Sequence, residues 1–297
     1  MMALIKKKSQ MKESRSFYLI NTILLVLFTL IIIIPIWNVI VSSVSSGKAL
    51  ADGGLMLWPK ELTFDNYKRV LSDGSILNAF FISVSKTVLG ALTHVLFCSI
   101  MAYALSKKRL VGRGFYTTFG VITLYFGGGM IPYYLLIRSL GLLNSFWVYI
   151  IPSLLSYYDV IILMNFFREV PVSLEESARI DGANDWTVFF RIFLPLSKPA
   201  LATITLFSGV AQWNDFMTTK MFITDKALYP LQMKIYEIIV QSQMQGMDNM
   251  GASAIVETTT RGVQLATIVI TTIPILIIYP LLQKYFISGM MVGAVKE

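Results

Sequence analysis

The feature that most constrains this chain is the spacing of its charged residues, which leaves long stretches without any charge. Six such stretches run from Arg15 to Lys48, Asp73 to Lys107, Arg113 to Arg138, Arg138 to Asp159, Lys198 to Asp215 and Arg261 to Lys284. Only the second of them contains a charge, that of Lys86. A bilayer core about 30 Å thick takes roughly 20 apolar residues in a helix. We therefore predict an all-α integral membrane protein with six transmembrane helices.

Composition agrees with this prediction. Hydrophobic residues make up 55% of the chain and charged residues 14%, whereas a soluble domain carries roughly a quarter charged residues. The net charge of +8 raises the question of nucleic-acid binding, but the basic residues cluster at loop ends beside apolar spans. We therefore expect membrane lipid, and no nucleic acid, as a partner. The single cysteine, Cys98, excludes a disulfide framework.

The distribution of basic residues predicts the orientation. The N-terminal tail carries Lys6, Lys7, Lys8, Lys12 and Arg15 against Glu13, and the segment after the second span carries Lys107, Lys108, Arg109 and Arg113. Positively charged loops face the cytoplasm, so both termini are expected on the cytoplasmic side. The stretch Phe17 to Val44 is too long for a signal-peptide core and is expected to be a retained helix.

One membrane domain is expected over residues 17–289, between cytoplasmic tails at 1–16 and 290–297. The predicted spans lie near residues 17–44, 76–105, 115–137, 146–167, 198–221 and 263–285. Long outer segments follow the first and fifth spans. A cytoplasmic segment of mixed charge, residues 168–198, joins the fourth and fifth spans and is called the coupling loop below.

The coupling loop is predicted to contain two short helices hinged at Gly182-Ala183. Ser173 is a candidate N-cap of the first, with Glu176 three residues later as in a capping box. The second is expected to run from Asp185 to Phe193 and to end at Leu194-Pro195, because proline cannot continue a helix.

The two helices are predicted to have distinct faces. Polar residues on one face are Glu176, Arg179 and Asp181, and apolar residues on the other are Ile180, Trp186, Phe189, Phe190 and Phe193. Bulky anchors with a polar rim are typical of a protein interface. The alternative is that the aromatic side chains pack against the ends of the spans, and both descriptions can hold at once.

The motif of this loop resembles a known family. The order Glu176-Ser177-Ala178, three residues, Gly182, nine residues, Ile192, one residue, Leu194-Pro195 resembles the EAA loop of ATP-binding-cassette importer permeases. Ser177 stands where that family usually has alanine. The run from Glu176 to Ala183 and the closing Phe193 to Pro199 resemble the sugar-importer branch in particular.

Other segments extend the resemblance over nearly the whole chain. Ala211 to Phe216 resembles the Trp-Asn-Asp/Glu-Phe motif at the end of the fifth span, and Gln283 to Gly289 resembles the C-terminus of the maltose-type permease subunit. Phe126 to Pro132 and Leu140 to Trp147 resemble a subgroup that serves complex oligosaccharides.

The resemblance implies the type I importer fold, an assembly, and a location in a bacterial-type cytoplasmic membrane. A second homologous permease subunit, two ATPase subunits and an extracellular or periplasmic solute-binding protein are the implied partners, with an oligosaccharide as substrate. The implied ATPase-coupling residues are Glu176, Ser177, Ala178, Asp181, Gly182, Leu194 and Pro195, and the implied tail contacts to the ATPase are Gly293, Ala294, Val295 and Lys296. Glu176 would pair with a basic group of the ATPase, or else serve only as a helix cap.

No cofactor is expected in this chain itself. The only Gly-Lys pair, Gly47-Lys48, lacks the upstream glycine and the following hydroxyl of a phosphate-binding loop. ATP and Mg would therefore be bound by the partner ATPase.

Residues of the sugar path are predicted from side-chain type. Sugar sites use aromatic faces with amide or carboxylate groups, and the candidates are Tyr125, Tyr133, Tyr134, Trp147, Tyr157, Tyr158 and Asn165. The alternative for each is an ordinary place in the interfacial aromatic belt. In the maltose-type system the other permease holds most of the sugar, so the share of this subunit stays open. Gln243 to Ser253 is expected to contact the binding protein or to form a solvent loop.

Two polar residues within the second span complete the analysis. His94 has no second histidine, cysteine pair or carboxylate cluster nearby in sequence, so neither a metal site nor an enzyme centre is expected. Lys86 is expected to snorkel or to pair across the bundle. A secondary transporter is disfavoured because the charges lie at span ends and in the coupling loop, and an importer of a non-sugar solute remains the alternative.

Overall fold

The computed structural model describes residues 15–51, 54–248, 261–278 and 280. Within these residues the regular structure is helical, apart from one isolated bridge between Ser45 and Leu62. The predicted all-α class is therefore confirmed for the described part of the chain.

The helices are α1 Arg15–Ser43, α2 Gly47–Ala51, α3 Asp65–Ser72, α4 Gly74–Ser106, α5 Arg113–Tyr125, α6 Met130–Ser139, α7 Tyr157–Glu169, α8 Val172–Ile180, α9 Asp185–Val188, α10 Leu194–Leu196, α11 Lys198–Asn214, α12 Met217–Phe222, α13 Leu231–Asp248 and α14 Arg261–Ile278. Short 3-10 turns cover Phe146–Tyr149, Ile151–Ser153 and Lys226–Leu228, and a π-helical turn covers Phe189–Phe193.

Membrane-crossing segments are of two kinds. Helices α1, α4 and α14 are each long and apolar enough to cross a bilayer alone. Three further segments are bent pairs: α5 with α6 at 119°, Phe146–Ser153 with α7 at 48°, and Asp185–Leu196 with α11 at 82°. Counting each bent pair as one span gives the predicted six.

The third span, predicted near 115–137, is not one continuous helix. Helix α5 ends at Tyr125, α6 begins at Met130, and the chain between them contains Gly127, Gly128 and Gly129. Gly129 has a φ of +81°, a conformation open to glycine at little cost. A run of glycines also has a low helix propensity. The break therefore follows from the local sequence, which apolar length alone does not reveal.

Other predicted spans are interrupted too. The span at 146–167 begins with 3-10 turns, and the span at 198–221 is divided at Asp215-Phe216 between α11 and α12. The span at 263–285 is described only through α14 and residue 280.

Helix α4 is the centre of the bundle, with α7 and α11 packed along it. Small buried residues on α4, among them Gly90, Ala91, Cys98 and Ala102, allow this close approach. They meet apolar side chains of the other two helices, including Val160, Leu163 and Ile204. Trp213 Nε1 donates to the Thr271 carbonyl at 3.1 Å and so joins α11 to α14.

Helix α1 stands apart from this core. Every side chain from Phe17 to Trp37 is exposed. Its last turns contact the following segment: Trp37 Nε1 donates to the Leu57 carbonyl at 2.9 Å, and Val41 packs with Leu50 and Met56. This apolar helix is left to face lipid or another subunit.

Candidate functional site

The first helix of the coupling loop begins one residue before the predicted cap. Helix α8 starts at Val172, and its N-cap position is Pro171, without a side-chain cap. The prediction that Ser173 caps this helix is therefore wrong, because Ser173 already lies inside the first turn. Glu176 is exposed, and no described residue gives it a hydrogen bond or ion pair, so it is not part of a capping box.

The turn at Gly182 has the geometry that the motif predicts. Gly182 has a φ of +83°, its N–H donates to the Arg179 carbonyl at 3.0 Å, and the N–H of Ala183 donates to the Ala178 carbonyl at 2.9 Å. These two bonds form a Schellman motif, which ends a helix on a left-handed glycine. Helix α9 then begins with Asn184 as its cap, accepting from Thr187 N–H at 2.8 Å. The two-helix organisation of the loop is thus confirmed.

The second helix does not stop at Leu194-Pro195, contrary to the prediction. The N–H of Leu194 donates to the carbonyl of Phe189, five residues back, so the turn before Pro195 is wider than an α-helical turn. A proline ring would clash with the carbonyl four residues back in a regular helix. The wide turn accommodates Pro195, and α10 continues to Leu196.

The inner side of the coupling loop is tied to the end of α4 by charged side chains. Lys107 contacts Glu175, Arg179 bonds the same Glu175 at 2.9 Å, and Arg179 and Arg109 both contact Asp185. We call these five residues the loop ion network. Lys107 Nζ also lies 3.9 Å from the centroid of the Phe193 ring. Glu175 is not among the residues predicted from the sequence, although its i,i+4 spacing to Arg179 is a signal for such a pair.

The surroundings of this network shift its pKa values. Partial burial alone would raise the pKa of Glu175, but hydrogen bonds from Lys107 and Arg179 outweigh it and hold that pKa below the usual value. The hydrogen bond from Arg179 likewise lowers the pKa of Asp185. Both carboxylates therefore stay ionised at neutral pH.

The aromatic residues of the loop divide between the two predicted roles. Phe189 and Phe193 are buried in the core around α4, whereas Trp186 and Phe190 are exposed and stacked on each other. Ile180 is 87% exposed. Of the predicted coupling residues, Ala178 and Leu194 are half-buried against the core, and the exposed ones are Glu176, Ser177, Asp181, Gly182 and Pro195.

A second candidate region is a cavity of about 520 Å³ inside the helical bundle. We call it the polar cavity, and the residues that line it include His94, Tyr133, Tyr149, Ser153, Tyr158, Asp159, Ser208, Gln212, Asp215 and Thr218. Helices α4, α6, α7 and α11 and the segment before α7 all contribute. Its volume falls within the range of ligand-binding pockets, roughly 300–1,000 Å³.

Two of the predicted sugar-path residues line this cavity, Tyr133 and Tyr158. The other predicted residues lie elsewhere. Tyr134 stacks on Phe222 with 5.9 Å between ring centroids, and Tyr157 is buried and donates to the Thr117 carbonyl at 3.1 Å. The last three predicted residues are exposed and do not line the cavity; they are Tyr125, Trp147 and Asn165.

Lys86 pairs across the bundle, which is one of the two outcomes predicted for it. Its Nζ lies 3.2 Å from Asp215 Oδ2 and donates to the Asp215 carbonyl at 2.8 Å. The side chain of Lys86 is completely buried, and its Nζ lies 4.5 Å from the centroid of the Tyr149 ring. The expectation that charges lie only at span ends and in the loop is therefore wrong for Lys86, whose charge is neutralised by a pair that joins α4 to the end of α11.

His94 also has a carboxylate partner that sequence spacing could not identify. Its Nε2 lies 3.0 Å from Asp159 Oδ2, and its Nδ1 lies 2.6 Å from the Ser153 carbonyl. A carbonyl oxygen only accepts, so Nδ1 carries a proton; an ionised Asp159 can only accept as well, so Nε2 also carries a proton in the ion pair and His94 is its cation. The two residues are 65 positions apart. In the described part of the chain, no group of three or more His, Cys, Asp or Glu side chains is arranged to hold a metal ion.

Some predictions fall on parts of the chain that are not described. The tail residues Gly293, Ala294, Val295 and Lys296 lie outside the described residues, as does the segment Gln243 to Ser253 beyond Asp248.

Comparison with known proteins identifies the family. Residues 14–292 match the family model described as binding-protein-dependent transport system inner membrane component. The chain is 42% identical over 274 residues to the polygalacturonan/rhamnogalacturonan transport system permease protein YtcP of Bacillus subtilis, covering 92% of this chain and 95% of that protein. Protein LplC of Bacillus subtilis is 39% identical over 297 residues, covering 99% of this chain and 100% of that protein.

A solved structure agrees in fold. It is a chain of a bacterial ABC transporter involved in the import of the acidic polysaccharide alginate, with 34% identity and a TM-score of 0.83 over 92% of this chain and 99% of that chain. The importer-permease fold implied by the sequence is therefore confirmed. The chain belongs to the family of binding-protein-dependent transport system inner membrane components.

Proposed function

We propose that this chain is one of two permease subunits of an ATP-driven, binding-protein-dependent importer of oligosaccharides. The single observation that carries the proposal is the two-sided construction of the coupling loop. Its inner side is fixed to α4 by the loop ion network and by Phe189 and Phe193. Its outer side exposes Glu176 and three large apolar side chains, Ile180, Trp186 and Phe190.

This construction suits a loop that transmits force from a docked partner. Exposed anchors give a docking surface for an ATPase subunit, and Glu176 is free to meet a basic group there. The rigid inner contacts would carry a displacement of α8 directly into α4, which lines the polar cavity. ATP binding and release by the partner would thereby bias two arrangements of the spans, as alternating access requires.

The cargo is proposed from the relatives. YtcP is described as a polygalacturonan/rhamnogalacturonan permease, and the solved relative belongs to an alginate importer. Both descriptions concern uronate-containing polysaccharides, so we take an acidic oligosaccharide as the substrate class. The remaining proposed partners are a second homologous permease, two ATPase subunits that bind ATP and Mg, and a solute-binding protein outside. Both termini are proposed to face the cytoplasm.

The test is ATPase activity of the full complex in proteoliposomes, with binding protein and oligogalacturonate. We expect Glu176→Ala and Ile180→Ser to reduce the stimulated activity by about tenfold or more, since interface anchors contribute about 2 kcal/mol or more. Glu169→Ala, an exposed glutamate at the end of α7, is the matched control and should leave activity unchanged. If the wild-type chain neither co-purifies with an ATPase nor responds to oligosaccharide, the proposal is wrong.

A further inference from the structure

In each of the two ion pairs beside the polar cavity, the carboxylate is the more exposed partner. The side chains of Asp159 and Asp215 are 18% and 27% exposed, whereas those of His94 and Lys86 are 8% and 0% exposed. Asp159, Asp215 and His94 all line the cavity, and Lys86 does not. The wall of the cavity therefore presents more carboxylate oxygen than cation, with Lys86 behind it and His94 at its edge.

The carboxylates keep acceptor capacity after their internal contacts are counted. Asp159 uses Oδ2 for His94, and Asp215 uses Oδ2 for Lys86 and Oδ1 for the N–H of Thr218 at 3.1 Å. An ionised carboxylate offers about four lone-pair sites. Each group can therefore accept further hydrogen bonds from a ligand, and hydrogen bonds to a charged acceptor are the stronger kind.

Neighbouring groups suit the rest of a sugar ring. Tyr133 and Tyr158 line the same cavity and are both exposed, so their faces can pack against the C–H surface of a pyranose. Gln212 is held in place, since its Nε2 donates to the Tyr149 carbonyl at 3.0 Å and to Ser153 Oγ at 2.8 Å. Gly90 allows this, because a Cβ there would lie 2.9 Å from the Gln212 amide. The cavity thus has a fixed polar edge.

We propose that this cavity is a sugar subsite that binds ring hydroxyls through Asp159 and Asp215 and excludes uronate carboxylates from the same wall. The inference rests on the proposed transport of acidic oligosaccharides and deepens it. A ligand hydroxyl donates to the exposed carboxylate oxygens, whereas a ligand carboxylate would meet like charge with its balancing cations already engaged. The acidic groups of the cargo must then be directed away from this wall, toward the side of the pathway that another subunit completes.

The test uses direct binding to the purified complete transporter, without binding protein, so that the binding protein does not select the ligand. The two probes are α-1,4-trigalacturonate and its carboxyl-reduced counterpart, galactotriose, measured by saturation-transfer NMR titration. We expect Asp159→Asn and Asp215→Asn to weaken galactotriose binding about tenfold. The same variants should weaken trigalacturonate less, so the ratio of the two affinities shifts toward the acidic probe.

Controls separate charge from packing and from misfolding. Tyr158→Ala should weaken both probes equally, and Asp65→Asn, on the exposed helix α3, should change neither. If Asp215→Asn fails to fold, the affinity ratio of Asp159→Asn alone tests the subsite. The double variant Lys86→Met with Asp215→Asn gives a second test at Asp215, because it removes the Lys86 charge that Asp215→Asn alone would leave buried and unpaired. An unchanged ratio in folded variants overturns the subsite. Loss of oligosaccharide-stimulated ATPase in the wild-type complex would instead count against the proposed function.

Discussion

The ion pairs of the helical bundle and those of the coupling loop use the same chemical groups in different surroundings. In the bundle, Lys86 is completely buried and relies on one residue, Asp215. In the loop, Arg179 is shared between two carboxylates, and the Arg109–Asp185 pair is more than half exposed on both sides. Breaking a buried pair from one side costs much more than breaking an exposed pair. The bundle pairs therefore fix the position of α4, whereas the loop depends mainly on the less exposed Lys107–Glu175 contact, to which the exposed Arg109–Asp185 pair adds little.

The sharpest test of this difference is Asp215→Leu. It leaves Lys86 buried without a carboxylate partner, beside the Asp215 carbonyl and the Tyr149 ring, and we expect a loss of about 3–5 kcal/mol in stability. Lys86→Met should cost less, since Asp215 borders the cavity and can be hydrated, and the double variant Lys86→Met with Asp215→Leu should recover most of the loss. Thermal unfolding in detergent measures all three. Equal losses for the two single variants would contradict the buried-pair argument.

A second test compares two glycines. A Cβ at Gly120 would lie 2.1 Å from the Tyr157 ring, where α5 meets α7. Overpacking of this kind costs about 1–3 kcal/mol, so Gly120→Ala should lower the melting temperature. Tyr157→Leu in the same chain should restore part of it by freeing space. If Gly120→Ala leaves the melting temperature unchanged, α5 can move away from α7 at no cost in stability.

Gly182 in the loop should respond for a different reason. A Cβ there would meet nothing within 4 Å, but the φ of +83° is strained for other residues. We expect Gly182→Ala to cost about 1–2 kcal/mol, with hydrogen exchange of α8 as the readout. Gly182→Asn should cost less, because asparagine tolerates this conformation. If Gly182→Ala and Gly182→Asn increase the hydrogen exchange of α8 equally, the cause is a steric clash of the side chain and not backbone strain.

The loop ion network should give a smaller effect. Lys107→Met leaves Glu175 still bonded to Arg179, so the expected loss is about 1 kcal/mol, or about a fivefold faster hydrogen exchange in α8. Arg109→Gln, at an exposed pair, should change exchange by less than that. If Arg109→Gln has the larger effect, the half-buried Lys107 is not the main anchor.

The smallest expected effect is that of pH. A carboxylate with a depressed pKa stabilises the folded loop fully above its unfolded pKa, about 4, and loses this contribution as pH falls through the lower folded value. Because the pKa values of Glu175 and Asp185 are both depressed, protection of α8 should be constant between about pH 8 and pH 5. Hydrogen exchange corrected for intrinsic rates checks this. A loss of protection in that range would contradict the assignment.

Local sequence was enough for the parts of the fold set by local physics. The lengths of the charge-free stretches predicted the number of spans, and the residues around Gly182 predicted the two helices of the coupling loop. The breaks at Gly127 to Gly129 and before Pro195 depend on backbone geometry that hydropathy does not report. Pairs such as His94 with Asp159, far apart in sequence, depend on the packing of α4 against α7. The neighbours Glu175 and Glu176 differ only in which side of α8 they occupy.

The glycine break between α5 and α6 has a consequence for hydration. The N–H groups of Gly127, Gly128 and Gly129 donate to no carbonyl of a described residue. In hydrocarbon each such group would cost several kcal/mol, so non-helical backbone at membrane depth is tolerated only against protein or water. We therefore expect this side of the subunit to face water or another subunit, and not lipid tails.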